Sequence, residues 1–476
     1  MTDELCYLPA TEALRRFRAR ELSPVELMRA VIDRADQTES IVNALCHTFY
    51  DEALAAARTA EDRFAAGTAG PLEGLPLAVK EEEAIEGQPW TQGSLIHRDT
   101  IAPYTSEFAR RQLAAGAIVH ARSTAPEFSC AGFTHSRIHG VTRNPHNPEL
   151  SVGGSSGGSA ASLAAGTSTL ASGSDIGGSI RIPAAACGVV GFKPPYGRVP
   201  VDPPYNLDTY CHCGPLARTV ADCALYENVL AGVDPADIVS LREPLLLPDR
   251  FVGIGGLRIA LSLELGGDWT IGDDVRANTL AVAEALRAAG AQVDEVDLTL
   301  PYDDVMQAVS IHFHHGFAAD IGEAVRAHPE LVCDYTRAMV DDAEQLSRGG
   351  GVAEGLRLEA KLYAPVGELL QRYDALVIPS SRVAGLDAGD GYADHAPVAG
   401  GTELEFYLGN FLTPVFNILS RCPVLAVPSG FGARNAPTGV QIAGRTYDDL
   451  TVFRVGAALE AVRPWDTRPA VEALAA

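Results

Sequence analysis

The spacing of hydrophobic residues in the first quarter of the chain changes between helical and strand periods. Residues 23–26 read Ser-Pro-Val-Glu, a capping box with proline at the first helical position, and apolar residues recur at helical spacing after it. An alanine-rich helix is predicted over residues 51–66, and the apolar run 75–79 is typical of a buried strand that ends at Lys80. A helix, a glycine and a strand follow over residues 107–119. This alternation predicts an α/β sheet with parallel pairs.

The same alternation returns in the second half of the chain. Residues 257–261 and 291–298 resemble strands on either side of a helix over 274–289. Two further apolar runs, 375–378 and 424–427, are each followed by proline and serine, as expected for buried strands that end at a rim. The second half is therefore predicted to add strands to the sheet.

Charge narrows the range of partners. The chain has 476 residues, with 37 Lys and Arg against 61 Asp and Glu, which gives a net charge of −24. An acidic protein repels phosphate backbones and anionic lipid heads, so no nucleic-acid and no membrane partner is expected. The acidic first residues are unlike a signal peptide, and no apolar run reaches the length of a membrane helix. Nine cysteines, an odd number, favour reduced thiols and predict a cytoplasmic protein.

The most unusual segment is residues 151–180, in which 8 of 30 residues are glycine and 9 are serine. A flexible linker of this composition would be polar throughout, but this segment contains Leu163, Leu170 and Ile176. We therefore predict a tightly packed backbone in which glycine permits close approach and serine hydroxyls occupy fixed positions.

Two known motifs fit this segment incompletely. A phosphate-binding loop would require Gly-Lys-Ser/Thr, which the segment lacks. Residues 153–157 match the Gly-x-Ser-x-Gly nucleophile elbow, but the preceding stretch 147–151 looks like a turn and not like the required strand. A Ser-His-Asp hydrolase of the α/β-hydrolase type stays an alternative. Its candidate bases are His212, His312, His314 and His315.

A third interpretation rests on ordered matches along nearly the whole chain. The Ser/Gly blocks 153–159 and 173–184 are followed by Cys-Gly-Val-Val-Gly-Phe-Lys-Pro at 187–194, and Gly-Leu-Pro-Leu-Ala-Val-Lys precedes them at 74–80. Together with residues 214–222 and 437–442, these motifs make the chain resemble the amidase signature family.

The resemblance implies the architecture. It predicts an α/β fold with a mixed, mostly parallel central sheet covered by helices on both faces. A single domain is expected over residues 1–476. Within it we distinguish an N-terminal helical segment (about 1–66), a catalytic Ser/Gly core (about 74–230) and a variable substrate-side segment (about 300–420).

The resemblance also implies a Ser-cisSer-Lys triad. Ser179 would be the nucleophile, Ser155 the serine that follows a cis peptide bond, and Lys80 the base. Amide hydrolysis needs such an activated hydroxyl, a proton shuttle and donors for the oxyanion. The implied oxyanion hole consists of the backbone N–H groups of Ile176, Gly177, Gly178 and Ser179.

Several neighbouring residues are predicted to support the triad. Ser156 and Ser174 are expected to donate or accept hydrogen bonds. Asp175 and Arg181 flank the nucleophile, and we expect them to pair and hold the loop; the alternative is that Arg181 binds a substrate carboxylate. The Cys-His-Cys run at 211–213 has no second cysteine pair at a matching interval, so it is a weak signal for a metal site. The amidase that the resemblance implies needs no metal and no cofactor.

The chain departs from the family pattern directly after the predicted base. Lys80 is followed by Glu81, Glu82 and Glu83, whereas the family usually has aspartate next. A lysine acts as a base only when uncharged, a form that burial away from carboxylates favours. In an extended strand Glu81 points away from Lys80, and we expect the acidic run to form a solvated turn.

These residues predict an amidase, a hydrolase that cleaves the carbon–nitrogen bond of a small-molecule carboxamide through a seryl acyl-enzyme. The alternative of another class is a glutaminase-like subunit of a tRNA-dependent amidotransferase. The assembly we consider for this chain is a homodimer. Candidate substrate contacts are Phe128, Ser129, Cys130, Tyr205 and a predicted helix over 406–416 that places Phe406, Asn410 and Thr413 on one face.

Overall fold

The computed structural model describes residues 2–267, 269–346, 350–392, 395, 397–399, 401–404, 407–466 and 468–469. Its α-helices are α1 (Thr2–Cys6), α2 (Ala10–Ala19), α3 (Pro24–Val42), α4 (Tyr50–Ala66), α5 (Glu107–Ala114), α6 (Gly157–Ala165), α7 (Arg181–Cys187), α8 (Val220–Leu230), α9 (Asp273–Ala288), α10 (Tyr302–His315), α11 (Phe317–Ala327), α12 (Asp334–Leu346), α13 (Val352–Arg372), α14 (Val415–Ile418) and α15 (Asp449–Val462). No helix in the described part of the chain is both long and apolar enough to cross a bilayer.

The strands are two to eight residues long. They are β1 (Leu45–Thr48), β2 (Pro76–Lys80), β3 (Ile118–Ser123), β4 (His135–Ser136), β5 (Gly140–Val141), β6 (Arg143–Asn144), β7 (Asn147–Ser151), β8 (Leu170–Asp175), β9 (Val190–Lys193), β10 (His212–Ala217), β11 (Arg258–Leu261), β12 (Gln292–Glu295), β13 (Ala375–Pro379), β14 (Val398–Ala399), β15 (Thr402–Glu403), β16 (Val424–Phe431) and β17 (Pro437–Gly444).

Eleven strands form one sheet in the order β1-β3-β2-β8-β10-β9-β16-β17-β13-β11-β12. The sheet is mixed, as predicted, but it is not mostly parallel. Parallel pairs occur only towards the two ends of this sheet, β3-β2-β8 and β13-β11-β12, while every neighbouring pair from β8 to β13 is antiparallel. A short connection between β16 and β17 makes a hairpin, which requires antiparallel strands. The alternation of helices and strands along the sequence did not predict the antiparallel strands at the centre of the sheet.

Helices cover both faces of the sheet, as predicted. Along β13, Ala375 and Val377 pack into a core with α8, α9 and α15, whereas Leu376 and Ile378 pack into a second core with α10 to α13. Successive strand residues point to opposite faces, so each strand contributes to both cores. This double burial explains why all five residues of β2 are buried and why the four residues before Lys80 are apolar.

The predicted helix ends are confirmed where a cap specifies them. Ser23 and Glu26 form the reciprocal capping box that starts α3. Helix α4 ends at Gly67, whose φ of 71° is in the left-handed region that favours glycine. One local prediction is wrong: residues Asn147–Ser151 form the short strand β7 paired with β6, and not only a turn.

The Ser/Gly segment is core and not a linker. Every residue of α6 is buried. A Cβ atom on Gly158 would lie 2.4 Å from the backbone N of Thr124, so only glycine allows α6 to approach the chain after β3 so closely. Strand β8 then runs parallel to β2, which brings the carboxyl ends of both strands, with Lys80 and Asp175, to the same edge of the sheet.

Candidate active site

Lys80 lies at the end of β2 with its side chain fully buried. Its Nζ donates a hydrogen bond of 2.8 Å to Ser155 Oγ and another of 2.8 Å to Ser174 Oγ. The backbone N–H of Lys80 donates to Ser172 Oγ at 2.9 Å, which fixes the end of the strand against β8. The predicted base and the predicted intermediate serine are therefore in direct contact, and Ser174 is in its predicted supporting position.

Ser155 precedes α6 in a backbone with an unusual geometry. The peptide bond between Gly154 and Ser155 is cis, as the resemblance implied. A Cβ atom on Gly154 would lie 2.4 Å from the carbonyl oxygen of Phe133, so glycine is needed at this close approach. The next residue, Ser156, donates its backbone N–H to the carbonyl oxygen of Ser179 at 3.1 Å, and this bond ties the two serine segments together.

Ser179 lies in the loop between β8 and α7 and is mostly buried. Gly178 has a φ of 125°, and a Cβ atom there would lie 2.0 Å from Thr413 Oγ1. Thr413 in turn donates to the carbonyl oxygen of Gly177 at 2.8 Å. The loop that contains Ser179, the predicted nucleophile, is thus held on one side by Ser156 and on the other by Thr413.

Asp175 and Arg181 form a fully buried ion pair with a shortest distance of 2.8 Å. Burial alone would raise the pKa of Asp175, but the Arg181 guanidinium and hydrogen bonds from Arg181 and Asn417 hold this pKa well below its usual range. Arg181 also donates to Thr413, Gln441 and Asn417. Because its donors are occupied in this way, the structure favours the predicted role of Arg181 in holding the loop over the alternative of binding a substrate carboxylate.

The Asp175 carboxylate corrects one predicted role. The Gly178 N–H donates to Asp175 Oδ1 at 2.8 Å, so it is already used inside the loop. We therefore remove the Gly178 N–H from the four predicted oxyanion donors. The N–H groups of Ile176, Gly177 and Ser179 stay predicted donors. The Asp175 carboxylate accepts this hydrogen bond because a buried charge needs hydrogen-bond donors to replace water.

The acidic run after Lys80 is largely buried, which contradicts the predicted solvated turn. Glu82 Oε2 lies 3.0 Å from Lys80 Nζ, and Ser129 donates a hydrogen bond to the same carboxylate. Burial pushes the pKa of Glu82 upward, but the charge of Lys80 and the hydrogen bonds outweigh it and lower this pKa. The condition that no carboxylate lies near the lysine is therefore not met.

Glu81 and Glu83 accept hydrogen bonds from groups other than Lys80 Nζ. Glu81 accepts hydrogen bonds from the backbone N–H groups of Thr91, Gln92 and Gly93. Glu83 accepts a bond from Ser106 Oγ at 3.1 Å, and burial together with the charges of Glu82 and Asp202 raises its pKa to about 7. The position of Glu82 could have been predicted from the sequence. Side chains alternate between the two faces of an extended strand, so if Glu81 points away from Lys80, Glu82 points to the same face as Lys80.

A cavity of about 330 Å³ opens beside Ser155, Ser174 and Glu82. Of the predicted substrate contacts, Phe128, Ser129 and Tyr205 line it, whereas Cys130 is not among its lining residues. Phe128 and Ser129 both have a φ above 50°, and this turn of the backbone presents the Ser129 hydroxyl to Glu82. Lining residues that the sequence analysis missed are Trp90, Tyr104, Asp202, Phe317 and Asp320.

The predicted helix over 406–416 is wrong. A 3₁₀ turn spans Tyr407–Asn410 and α14 begins only at Val415, because Pro414 cannot continue a helix from the residues before it. Phe406 lies outside the described residues. Asn410 accepts a hydrogen bond from the backbone of Val383 and lines a separate, smaller cavity of about 30 Å³. Thr413 borders the loop that contains Ser179.

The four candidate histidines of the alternative hydrolase have other contacts, and the ring of His314 meets that of His315 edge to face. The ring of His212 lies near the carbonyl oxygens of Tyr210, Asp175 and Ser420, and burial followed by the charge of Lys193 lowers its pKa to about 3. His312 stacks on Tyr210 with ring centroids 3.6 Å apart, and His315 is bound to the carbonyl oxygen of Ile311. Since Ser155 is bound to Lys80, the geometry favours lysine over histidine as the base.

Comparisons with known proteins show which family the chain is similar to. A family model described as Amidase matches residues 26–453. A glutamyl-tRNA(Gln) amidotransferase subunit of Chloroflexus aggregans is 35% identical over 496 residues, with 98% of each chain covered. Acylamidase of Rhodococcus erythropolis is 33% identical over 485 residues, with 99% of each chain covered. The crystal structure of a bacterial aryl acylamidase of the amidase signature family superposes with a TM-score of 0.87 at 29% identity, covering 96% of this chain and 97% of that chain.

Proposed function

The chain belongs to the amidase signature family, and on that premise we propose that it hydrolyses the carbon–nitrogen bond of a small-molecule carboxamide through an acyl-enzyme on Ser179. The observation that supports this most strongly is the 2.8 Å hydrogen bond from Lys80 Nζ to Ser155 Oγ inside a buried site. It supplies the first link of a proton path that ends at the nucleophile.

The chemical steps follow from this path. Uncharged Lys80 accepts the proton of Ser155, and Ser155 accepts the proton of Ser179 as the Ser179 oxygen bonds to the amide carbon. The N–H groups of Ile176, Gly177 and Ser179 stabilise the resulting oxyanion. Ser155 then returns a proton to the leaving nitrogen as the carbon–nitrogen bond breaks, and water hydrolyses the acyl ester.

Glu82 adds a step that a lone lysine would not need. The carboxylate stabilises the ammonium form of Lys80, whereas catalysis begins from the amine. The active form of the pair therefore carries one proton fewer than the ion pair, and Lys80 must release this proton to solvent before it can accept the proton of Ser155. Glu82, 3.0 Å away, favours the form that keeps the proton. We assign Glu82 as a positioning residue that acts through Lys80.

The charge of the cavity supports a neutral or cationic substrate. Its wall includes the carboxyl groups of Glu82, Glu83, Asp202 and Asp320, and Tyr205 donates to Asp320 at 2.5 Å. Within the described part of the chain, the lining residues include no lysine and no arginine. An amide that carries a carboxylate would find no opposite charge there, and it would lose hydration without compensation.

The same argument bears on the alternative function. The relative from Chloroflexus aggregans is described as a glutamyl-tRNA(Gln) amidotransferase subunit, which favours a glutaminase-like subunit. Free glutamine has an α-carboxylate, and Arg181 is fully occupied by Asp175 and its other acceptors. We therefore place the small-molecule amidase first. Vigorous turnover of neutral carboxamides by the purified chain alone would exclude a subunit that needs partners.

Location and assembly remain part of this proposal. A cytoplasmic enzyme fits the odd number of cysteines and the acidic composition. The substrate is a small molecule, and a homodimer is the assembly to test by light scattering.

The test is a panel of carboxamides, with turnover followed as released ammonia or amine. We expect Ser179→Ala and Lys80→Met to lose at least about three orders of magnitude in kcat. Matched controls are Ser40→Ala on an exposed helix end and Lys361→Met on the surface, which should retain activity. Circular dichroism must show that the variants are folded. Undiminished turnover in folded Ser179→Ala would contradict the proposal.

A further inference from the structure

A second cluster of reactive side chains lies outside the catalytic cavity. Cys46 and His47 of β1 and His139 of the β4–β5 hairpin each present a ligand atom, and these three atoms all lie within 4.8 Å of one another. The two imidazole rings meet edge to face, with centroids 5.5 Å apart. None of the three residues lines the cavity beside Ser155.

An irregularity in β1 makes this cluster possible. Consecutive residues of a regular strand point to opposite faces. The register between β1 and β3 shifts between Leu45 and His47, so Cys46 is the extra residue of a bulge. A bulge redirects side chains, which allows the thiol of Cys46 and the ring of His47 to converge.

The hairpin that provides His139 is also fixed. The His139 N–H donates to Ser136 Oγ at 3.1 Å, and Asn43 Nδ2 donates to the His139 carbonyl oxygen at 2.7 Å. Its ring Nε2 lies 3.1 Å from Thr91 Oγ1. The histidine is thus held in place by the residue that ends α3, by its own hairpin and by the segment after β2.

An unsatisfied atom points to a ligand. His47 Nε2 is buried and has no hydrogen-bond partner among the described residues. A buried polar atom without a partner is costly and calls for an explanation such as an ion. The Cys46 thiol has only a weak bond of 3.4 Å to the Arg122 carbonyl oxygen.

We propose that Cys46, His47 and His139 bind a Zn²⁺ ion, with a water molecule as the fourth ligand. One thiolate and two imidazoles form a nitrogen and sulfur ligand set that suits this borderline-soft ion. On binding, the Cys46 thiol loses its proton to solvent and forms a sulfur–zinc bond, with no change of oxidation state. The sequence analysis predicted no metal and did not consider this cluster, since His139 is far from Cys46 and His47 along the chain and no motif links them.

The site acts as a structural tie. It joins β1 to the β4–β5 hairpin, and Thr91 extends the link because its side chain contacts His139 while its backbone N–H donates to Glu81, next to Lys80. Binding to the folded state alone raises its stability by mass action. We expect saturating Zn²⁺ to raise Tm by about 3 °C or more, a rise that needs no catalytic role.

The test uses the full chain freed of metal by a chelator. Titration with Co²⁺ should give a thiolate-to-cobalt charge-transfer band and tetrahedral d–d bands at one equivalent, and Zn²⁺ should displace the Co²⁺. Cys46→Ser should abolish the charge-transfer band, and His139→Ala should weaken Zn²⁺ binding at least about tenfold. Cys130→Ser and His328→Asn are matched controls outside the cluster and should bind as the parent does.

The outcomes decide the proposal in either direction. Absence of the charge-transfer band in the parent chain overturns it, as does a band that persists in both Cys46→Ser and His139→Ala. If one of these variants fails to fold, the parent spectrum and the other variant still decide. Amide turnover of the metal-free chain is expected to persist, so failure of the proposed amidase function would leave the metal result untouched.

Discussion

Two buried ion pairs flank the serine segment, and they differ in how completely they are satisfied. In the Asp175–Arg181 pair both side chains are fully inaccessible to solvent, and the guanidinium has three further acceptors. In the Lys80–Glu82 pair the lysine is inaccessible, but Glu82 is 20% exposed and lines the cavity. The first arrangement is suited to holding a loop, and the second to exchanging protons.

The contrast shows why a charged pair in a core does not identify chemistry by itself. Buried pairs contribute little net stability, but removing one partner is expensive because the other charge is left uncompensated. Arg181 has no open side towards substrate. Lys80 contacts Ser155, and this contact supports the proposal that Lys80, and not Arg181, takes part in proton transfer.

The largest predicted effect comes from a substitution that breaks the Asp175–Arg181 pair. Arg181→Met leaves the Asp175 carboxylate buried without its cation, and we expect a loss of about 3–5 kcal/mol in the free energy of unfolding. Urea denaturation measures this loss. Arg29→Met on an exposed face of α3 serves as the control and should stay within about 0.5 kcal/mol of the parent. A similarly small change for Arg181→Met would mean that the pair does not hold the loop.

The next effect compares Glu83 with its neighbour Glu82, since their pKa values move in opposite directions. The pKa of Glu83 is raised to about 7, so the folded state holds a proton that the unfolded state loses near pH 4.5. Stability contributed by this proton is complete below pH 4.5 and is lost as the pH rises through 7. Glu83→Gln should therefore be more stable than the parent at pH 8, by about 3 kcal/mol at most.

Denaturation of Glu83→Gln at pH 8 and at pH 4.5 checks this sign. The two proteins should be similar at the lower pH, and the exposed Glu86→Gln variant should follow the parent at both values. A variant that is less stable than the parent at pH 8 would show that the charged form of Glu83 is the favoured one.

A third prediction concerns the Lys80–Glu82 pair. Glu82→Gln removes the carboxylate that stabilises the ammonium form of Lys80, so the acidic limb of kcat/KM should move to lower pH by about one unit or more. The pH profile of kcat/KM measures this shift, with Glu86→Gln as the control. A loss of kcat at every pH with an unmoved limb would assign Glu82 a purely structural role.

The smallest effect concerns the substrate. Among amides of similar size, we expect a neutral or ammonium-bearing compound to be hydrolysed with a kcat/KM about tenfold or more above that of a carboxylate-bearing compound, because the cavity wall is acidic. The difference should shrink at high salt. Preference for the anionic amide would contradict the assignment of this cavity as the substrate site.

Sequence patterns predicted the parts of the molecule that local chemistry specifies. The capping box at Ser23, the strand that ends at Lys80 and the packed Ser/Gly segment are each confirmed, because each depends on neighbours in the chain. The antiparallel centre of the sheet could not be predicted, since strand direction depends on how distant segments meet. The break at Pro414 was a local signal that the sequence analysis overlooked.

The site divides in the same way. Motif resemblance placed Lys80 and Ser155, and the structure brings their side chains into contact. The roles of Glu82 and of Gly178 depend on which donors and acceptors meet in three dimensions, namely Lys80 with Glu82 and Asp175 with the Gly178 N–H. Spacing alone does not show which polar groups are already occupied.

The most direct test of the central claim is to locate the acyl group during turnover. The chain is quenched in acid while it hydrolyses a carboxamide, digested, and examined by fragmentation mass spectrometry, which separates Ser155 from Ser179 within one peptide. The account predicts the mass of the acyl group on Ser179 in the parent chain and its absence in Lys80→Met. An acyl group on Ser155 or on another residue, or turnover with no covalent adduct under any quench, would contradict it.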